Sequence, residues 1–264
     1  LINKIKSEFN AKSYLVLRDI FPKWAADLKI ISRYNPIYWI LKYFEHSLYA
    51  SSNMIGLQSP KNVDYFQSSL KLNKFPFELL YNWTSFDKFS LTQNSNSIRT
   101  KYKLGNKVIF FYGGNMGQAQ DLFYILECAN SLKDIDHIHF LFVGEGTEKL
   151  DLQKKLKELK LNNVTIAGPL PRDLFDAALN ESDVGLISLS SSFKTQNIPG
   201  KLMPYLKYSK PVLASVNPGN DLIEMIDNGN FGLSCVARER EEFISNVISL
   251  SKDENQREIL GNNG

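Results

Sequence analysis

Cysteine and histidine are scarce: two and three residues in a chain of 264. Cys128 and Cys235 lie far apart, with no C-x-x-C spacing and no His pair at i, i+4. Structural and catalytic zinc sites of the usual spacings are therefore excluded. The two thiols read as small core residues in a reducing compartment. His46, His137 and His139 have no Ser or Cys arrangement around them that reads as a triad. No run of about 18 apolar residues is present, so no segment reads as a membrane-spanning helix. No charge sign dominates: 31 basic against 28 acidic residues leave +3, too little to argue for nucleic acid. The P-loop pattern G-x-x-x-x-G-K-[ST] and the dinucleotide pattern G-x-G-x-x-G are both missing. What is present is 43% hydrophobic and 22% charged residues, enough for one or two folded domains.

Three stretches follow from the pattern of the chain. Residues 1–83 read as mixed α/β, with strands at 13–17, 53–57 and 77–81 and an aromatic helix at 36–50 opened by Pro36. Residues 84–100 lose periodicity in a polar, turn-rich run and read as a linker. From 101 to 264 short apolar strands alternate with helices. The strands are expected at 107–112, 139–143, 163–167, 184–188 and 211–214, with one last helix at 239–260. That alternation predicts βαβ units and a parallel sheet buried on both faces.

Ligands of such sheets bind at the carboxyl ends of strands. Four of these ends carry Gly- or Pro-rich loops, at 113–117, 144–146, 168–171 and 217–220. A strand, a glycine loop and a helix start can cradle a phosphate, or can simply be a tight βα turn. The segment 193–201 runs through Pro199 and Gly200 into a helix that opens on Lys201. A lysine at a helix start opposes the dipole, so Lys201 is either a diphosphate ligand or a solvated side chain. Arg18-Asp19 is a strand-end cleft pair or a local salt bridge. The helix 36–50, with Trp39, Tyr43, Phe44 and Lys42, is a core helix or one lying on a membrane surface.

Six segments carry a resemblance. In order they are FFYGGNMGQAQDL (110–122), LFVGEGTEKL (141–150), NNVTIAGPLPRDLF (162–175), ESDVGLISL (181–189), IPGKLMPYLKYSKPVLAS (198–215) and NDLIEMIDNGNFGL (220–233). Together with LVLRDIFPKWAADL (15–28) and the run 80–83, they resemble the GT-B glycosyltransferases of family 4. IPGK with SVNPGNDLIE (215–224) resembles the bacterial O-antigen and capsule enzymes described as L-fucosamine transferases. The resemblance implies an α/β GT-B fold of two facing Rossmann-like domains, the N-terminal one incomplete at its front. It implies a nucleotide-sugar in the C-terminal domain and transfer with retention, without a metal or other cofactor.

Mapped by motif, Gly114, Asn115 and Gly117 would border the phosphates. Gly144 and Glu145 would lie under the nucleoside, and Pro169 and Leu170 at the base. Ile198, Pro199, Gly200 and Lys201 would cradle the diphosphate. Asn217, Asn220 and Glu224 would face the cleft, with Lys201, Gln196 and Glu224 as the catalytic set. The family's paired glutamates fall on Gln196 and Pro204, and its Arg and Lys after the first loop fall on Asn115 and Gln120. Lys201 is then the main cation left for the departing diphosphate, helped by Lys194 or Arg18.

The expected function is transfer from UDP-N-acetyl-L-fucosamine to a lipid-linked saccharide in bacterial surface polysaccharide synthesis. The expected place is cytoplasmic, peripheral at the inner face of the membrane, with no nucleic-acid partner. A UDP-sugar epimerase on the same fold and a nucleotide-sugar-binding fragment without transfer activity are the rival readings.

Overall fold

A computed structural model of the protein describes residues 1–69, 72, 74–85 and 97–264. The chain divides into two compact units. The first comprises Leu1–Asn82 with the later segments Ser192–Ile198 and Gly219–Asp221, and the second Trp83–Ser191, Pro199–Pro218 and Leu222–Gly264. The sequence reading placed everything from 101 onward in one domain; the two short later segments instead pack with the first unit.

In the first unit, strands β1 (Tyr14–Leu17), β2 (Met54–Leu57) and β3 (Phe77–Leu79) form a parallel sheet in the order β1-β2-β3. Helices α1 (Ile2–Phe9), α2 (Lys23–Asp27), α3 (Pro36–Ser51) and α4 (Pro60–Asp64) connect and flank them. The Asn35 side chain accepts from the Ile37 amide and Pro36 sits in the first turn of α3, which fixes where that helix starts. Its inner face buries Tyr38, Glu45 and Tyr49. Tyr49 meets Phe66 and Phe75 edge-on at 5.5 and 5.6 Å, and with Leu17, Ile55 and Leu57 they make the core of this unit. The third strand, expected over 77–81, ends at Leu79.

Of the expected linker 84–100, residues 86–96 lie outside the described residues, and Ile98–Lys101 form helix α5. Ser97 caps that helix, and Arg99 binds the Asp183 carboxylate at 2.8 Å.

The second unit holds strands β4 (Val108–Gly113), β5 (Ile138–Val143), β6 (Val164–Ala167), β7 (Val184–Ser188), β8 (Val212–Val216) and β9 (Gly232–Val236), all parallel, in the order β6-β5-β4-β7-β8-β9. Helices α6 (Leu122–Ser131), α7 (Lys149–Glu158), α8 (Arg172–Glu181), α9 (Leu202–Lys207), α10 (Asp221–Gly229), α11 (Arg240–Lys252) and α12 (Glu254–Asn263) follow the strands. Every residue of β4 and β5 is buried, as a strand covered on both faces must be. Phe110 and Phe140 stack at 5.3 Å in the middle of the core.

Strand β9 was not expected; it is an edge strand, as β6 is at the other side of the sheet, and its Leu233 and Ser234 are only half-buried. The single helix expected over 239–260 breaks at Asp253, whose side chain accepts from the Gln256 amide and caps α12. The cysteines are both buried, and burial pushes their thiols up, to about 11 at Cys128 and about 12 at Cys235.

Candidate functional site

Sheet order decides where a site can form in the second unit. The order reverses between β4 and β7, and the carboxyl ends of strands at such a reversal border a crevice. β4, β5 and β6 are neighbours, so the loops that follow them gather at one end of the sheet.

The first two loops are laced together through their backbones. The Gly114 amide donates to Val143 O at 2.9 Å, the Met116 amide to Glu145 O at 2.7 Å, and the Glu148 amide to Met116 O at 3.0 Å. Glycine is required for this approach. A Cβ at Gly144 (φ +153°) would stand 1.9 Å from Gly114 O, and one at Gly146 (φ +157°) 2.2 Å from Met116 O. The third loop joins by the Gly144 amide, which donates to Ala167 O at 3.2 Å.

Together these loops line a cleft of about 500 Å³. Gly114, Asn115, Gly144, Glu145, Pro169 and Leu170 all border it, with Phe175 as a wall. Six residues picked from three separate loops therefore meet in one hollow. Its size falls within the ~300–1,000 Å³ of small-molecule sites. Glu145 sits at the rim and takes Lys149 Nζ at 2.5 Å. Gly117 lies just beyond, its amide donating to Gln120 Oε1 at 3.3 Å, while Asn115 Nδ2 donates to the same oxygen at 3.1 Å.

Lys201 reaches this end of the sheet from the start of α9. Its Nζ stands 3.7 Å from the centroid of the Tyr112 ring and 3.7 Å from where a Cβ on Gly114 would be. The side chain is half-buried, and the ammonium makes no ion pair among the described residues. Desolvation lowers its pKa to about 7. A solvated lysine is thus not what the structure has: this cation rests on the face of an aromatic ring beside the glycine loop.

Tyr205, which the sequence reading passed over, holds α9 in place. Its hydroxyl donates to Leu186 O and accepts from the Gly113 amide, both at 3.2 Å. Tyr205 follows Lys201 by four residues, which puts both on one face of the helix. That spacing was the available signal. Tyr112 gave none, because its role depends on contact with a distant helix.

The remaining candidates fall elsewhere. Pro199 and Gly200 precede α9, and nothing lies within 4 Å of a Cβ built on Gly200. Pro204 sits in the first turn of α9, where its missing N–H costs no helical bond. Asn217 is buried after β8, and Glu224 is exposed on α10.

Gln196, Ile198 and Asn220 belong to the first unit. There the Gln196 carbonyl accepts from Ser59 Oγ at 2.9 Å, and the Ile198 carbonyl from Asn82 Nδ2 at 3.1 Å. Asn220 Nδ2 donates to Asn197 O at 3.2 Å. Asp19 accepts from Asn197 Nδ2 at 3.1 Å, and desolvation raises its pKa. His139 is a core residue: it is buried, its Nε2 lies 2.9 Å from Thr165 Oγ1, and burial lowers its pKa to about 4. Among the described residues no three His, Cys, Asp or Glu side chains are grouped to hold a metal.

Residues 94–264 match the family model described as glycosyl transferases group 1. The probable glycosyltransferase WbjE of Pseudomonas aeruginosa is 20% identical over 225 residues, which cover 85% of this chain and 56% of WbjE. The putative colanic acid biosynthesis glycosyl transferase WcaI of Escherichia coli is 28% identical over 124 residues, 46% of this chain and 30% of WcaI. The chain thus spans about half, or less, of the length of these relatives. Among solved structures it resembles WaaG, a glycosyltransferase involved in lipopolysaccharide biosynthesis, with a TM-score of 0.72 and 15% identity. That match covers 99% of this chain and 75% of WaaG. It also resembles Anabaena Alr3699/HepE solved with UDP-glucose, with a TM-score of 0.73 and 13% identity over 99% of this chain and 68% of HepE. The structural likenesses establish an α/β fold of the GT-B class with parallel sheets. With its family model matched over most of its length, the chain belongs to the glycosyl transferases group 1.

Proposed function

We propose that this chain is the donor-binding part of a retaining glycosyltransferase that takes its sugar from a UDP-sugar. The observation that carries this reading is the cleft of about 500 Å³ that Gly114, Asn115, Gly144, Glu145, Pro169 and Leu170 share, with the Lys201 ammonium beside Gly114. The uracil lies against Pro169 and Leu170, the nucleoside over Gly144 and Glu145, and the diphosphate beside Gly114 and Asn115. HepE, solved with UDP-glucose, supports a nucleotide-sugar as ligand.

The chemistry follows from charge. When the anomeric bond breaks, negative charge builds on the β-phosphate oxygens. A fixed cation in a partly dehydrated site stabilises that charge more than the spread charge of the ground state. Lys201 is such a cation, and Tyr112 and Tyr205 fix its position.

The acceptor we assign is a lipid-linked saccharide of bacterial surface polysaccharide synthesis, and the donor UDP-N-acetyl-L-fucosamine. WaaG and WcaI, named for lipopolysaccharide and colanic acid biosynthesis, support that setting. Calorimetry with UDP, then transfer from radiolabelled UDP-N-acetyl-L-fucosamine to an undecaprenyl-diphosphate-linked saccharide, tests it. No heat on UDP addition sinks the donor site. UDP binding with no transfer from this donor, but transfer from another UDP-sugar, corrects the sugar alone.

A further inference from the structure

The cleft of the second unit is bordered by an amide whose two ends the backbone tells apart. Gln118–Gln120 form one short helical turn between the glycine loop and α6. That turn is pinned on both sides. The Ser190 amide donates to Ala119 O at 2.8 Å, and the next residue, Asp121, takes Arg238 Nη2 at 2.8 Å. Within the turn the Gln120 amide donates to Gly117 O at 2.9 Å. The Gln120 side chain is half-buried and reaches back to the loop.

Three hydrogen bonds then fix which way the Asn115 side chain faces. The Gly117 amide lies 3.3 Å from one end of the Gln120 carboxamide. A backbone N–H can only donate, so that end is Oε1. Asn115 meets the same oxygen at 3.1 Å, and only its Nδ2 can donate to it. The Asn115 main chain is held as well, its carbonyl accepting from the Tyr112 hydroxyl. Asn115 is exposed and borders the cleft. With Nδ2 bound to Gln120, it offers a ligand Oδ1, which accepts no hydrogen bond among the described residues.

An amide oxygen is a poor neighbour for a diphosphate alone. Phosphate oxygens are acceptors too, and two acceptors set face to face repel. The partner that satisfies Oδ1 is an O–H or N–H. Gly114, next to Asn115 in the chain, has Lys201 Nζ 3.7 Å from the place of its Cβ. A cation and an acceptor thus stand at adjacent residues of one loop. A nucleotide-sugar matches that pairing, because its diphosphate has a hydroxyl-bearing ring at each end.

We propose that Asn115 Oδ1 accepts from a hydroxyl flanking the donor's diphosphate, on the ribose or on the transferred sugar. Gln120 is the positioning residue that keeps Asn115 an acceptor. The inference rests on the reading of the cleft as a nucleotide-sugar site, and names what in it reads a hydroxyl.

Calorimetry on the full chain compares UDP-glucose with analogues that each lack one hydroxyl, of the ribose or of the glucose. At least one analogue is expected to bind about two- to tenfold more weakly than the parent, the range of one neutral hydrogen bond. Its identity assigns the hydroxyl to the ribose or to the sugar. In Asn115→Ala that analogue and the parent bind equally. Gln120→Leu also narrows their difference, because the released amide can turn either end to the ligand. Gln120→Glu keeps the difference, since a carboxylate still accepts from Gly117 and Asn115. A merely structural loss weakens parent and analogue alike and leaves their ratio unmoved. Wild-type binding of UDP-glucose with no analogue weakened, or a ratio that survives both Asn115→Ala and Gln120→Leu, overturns this proposal alone. No binding of UDP-glucose by the wild type overturns the donor reading and this proposal with it.

Discussion

Replacing Lys201 with Met should change both the strength and the pH dependence of donor binding. The ammonium stands 3.7 Å from the Tyr112 ring centroid and beside Gly114, with its pKa lowered to about 7 by desolvation. A hydrogen bond from a charged donor contributes about 1.5–3 kcal/mol, which is roughly 10- to 150-fold in Kd. Lys201→Met should therefore weaken UDP-glucose binding by about that factor at pH 6, where the lysine is charged. Sign and window follow from the lowered pKa. The free protein holds the proton below pH 7 and loses it above, whereas the diphosphate holds it on. Wild-type affinity should then fall about tenfold between pH 6 and pH 8, because only about a tenth of the lysine stays charged at the upper end. UDP-glucose is the right probe, since both its phosphates are esterified and do not titrate in this range. Calorimetry in two buffers of different ionisation enthalpy should register proton uptake at pH 8 in the wild type and none in Lys201→Met. A pH-independent wild-type affinity, or a variant within twofold of the wild type at pH 6, would refute the assignment of Lys201 to the diphosphate.

Three other outcomes are expected. Gly144→Ala places a methyl group 1.9 Å from Gly114 O; the β4 and β5 loops must part, and urea unfolding should show a loss of at least about 1–3 kcal/mol together with loss of UDP binding. His139 is neutral in the folded state down to about pH 4, whereas an unfolded histidine protonates near 6.5. Folding stability should thus drop as pH falls from 6.5 to 4, by about 3 kcal/mol in all, and His139→Leu should remove most of that slope in urea titrations at stepped pH. Cys128 and Cys235, buried with thiols near 11 and 12, should resist a thiol reagent at pH 8 until the protein is unfolded in guanidinium.

How much of this was legible in the sequence depends on how local each feature is. Strands β4 and β5 were readable because central parallel strands are buried on both faces, and VIFFYG and IHFLFV carry that as unbroken apolar runs. Strand β9 was not: an edge strand is covered less, and GLSCV mixes polar and apolar residues without a run. Asp253 read as one more helical residue, although Asp at that place competes as a cap and starts a new helix instead. The three cleft loops could be picked singly from glycine and proline. Their meeting depends on the strand order β6-β5-β4, a tertiary fact.

The family spacing that put Gln196 and Pro204 in the places of two glutamates shows the opposite limit. The seven positions between them read as one motif, yet the structure assigns Gln196 to the first unit and Pro204 to the second. Linear spacing preserved the motif's register while the chemistry at both ends changed. Pro204 offers no side-chain acceptor, and its ring suits the first turn of α9. That turn fixes the start of the helix, and Lys201 stands at that start with Tyr205 one turn later. Nothing ion-pairs the Lys201 ammonium among the described residues, and desolvation acts on it unopposed, which leaves its charge for an anion to restore.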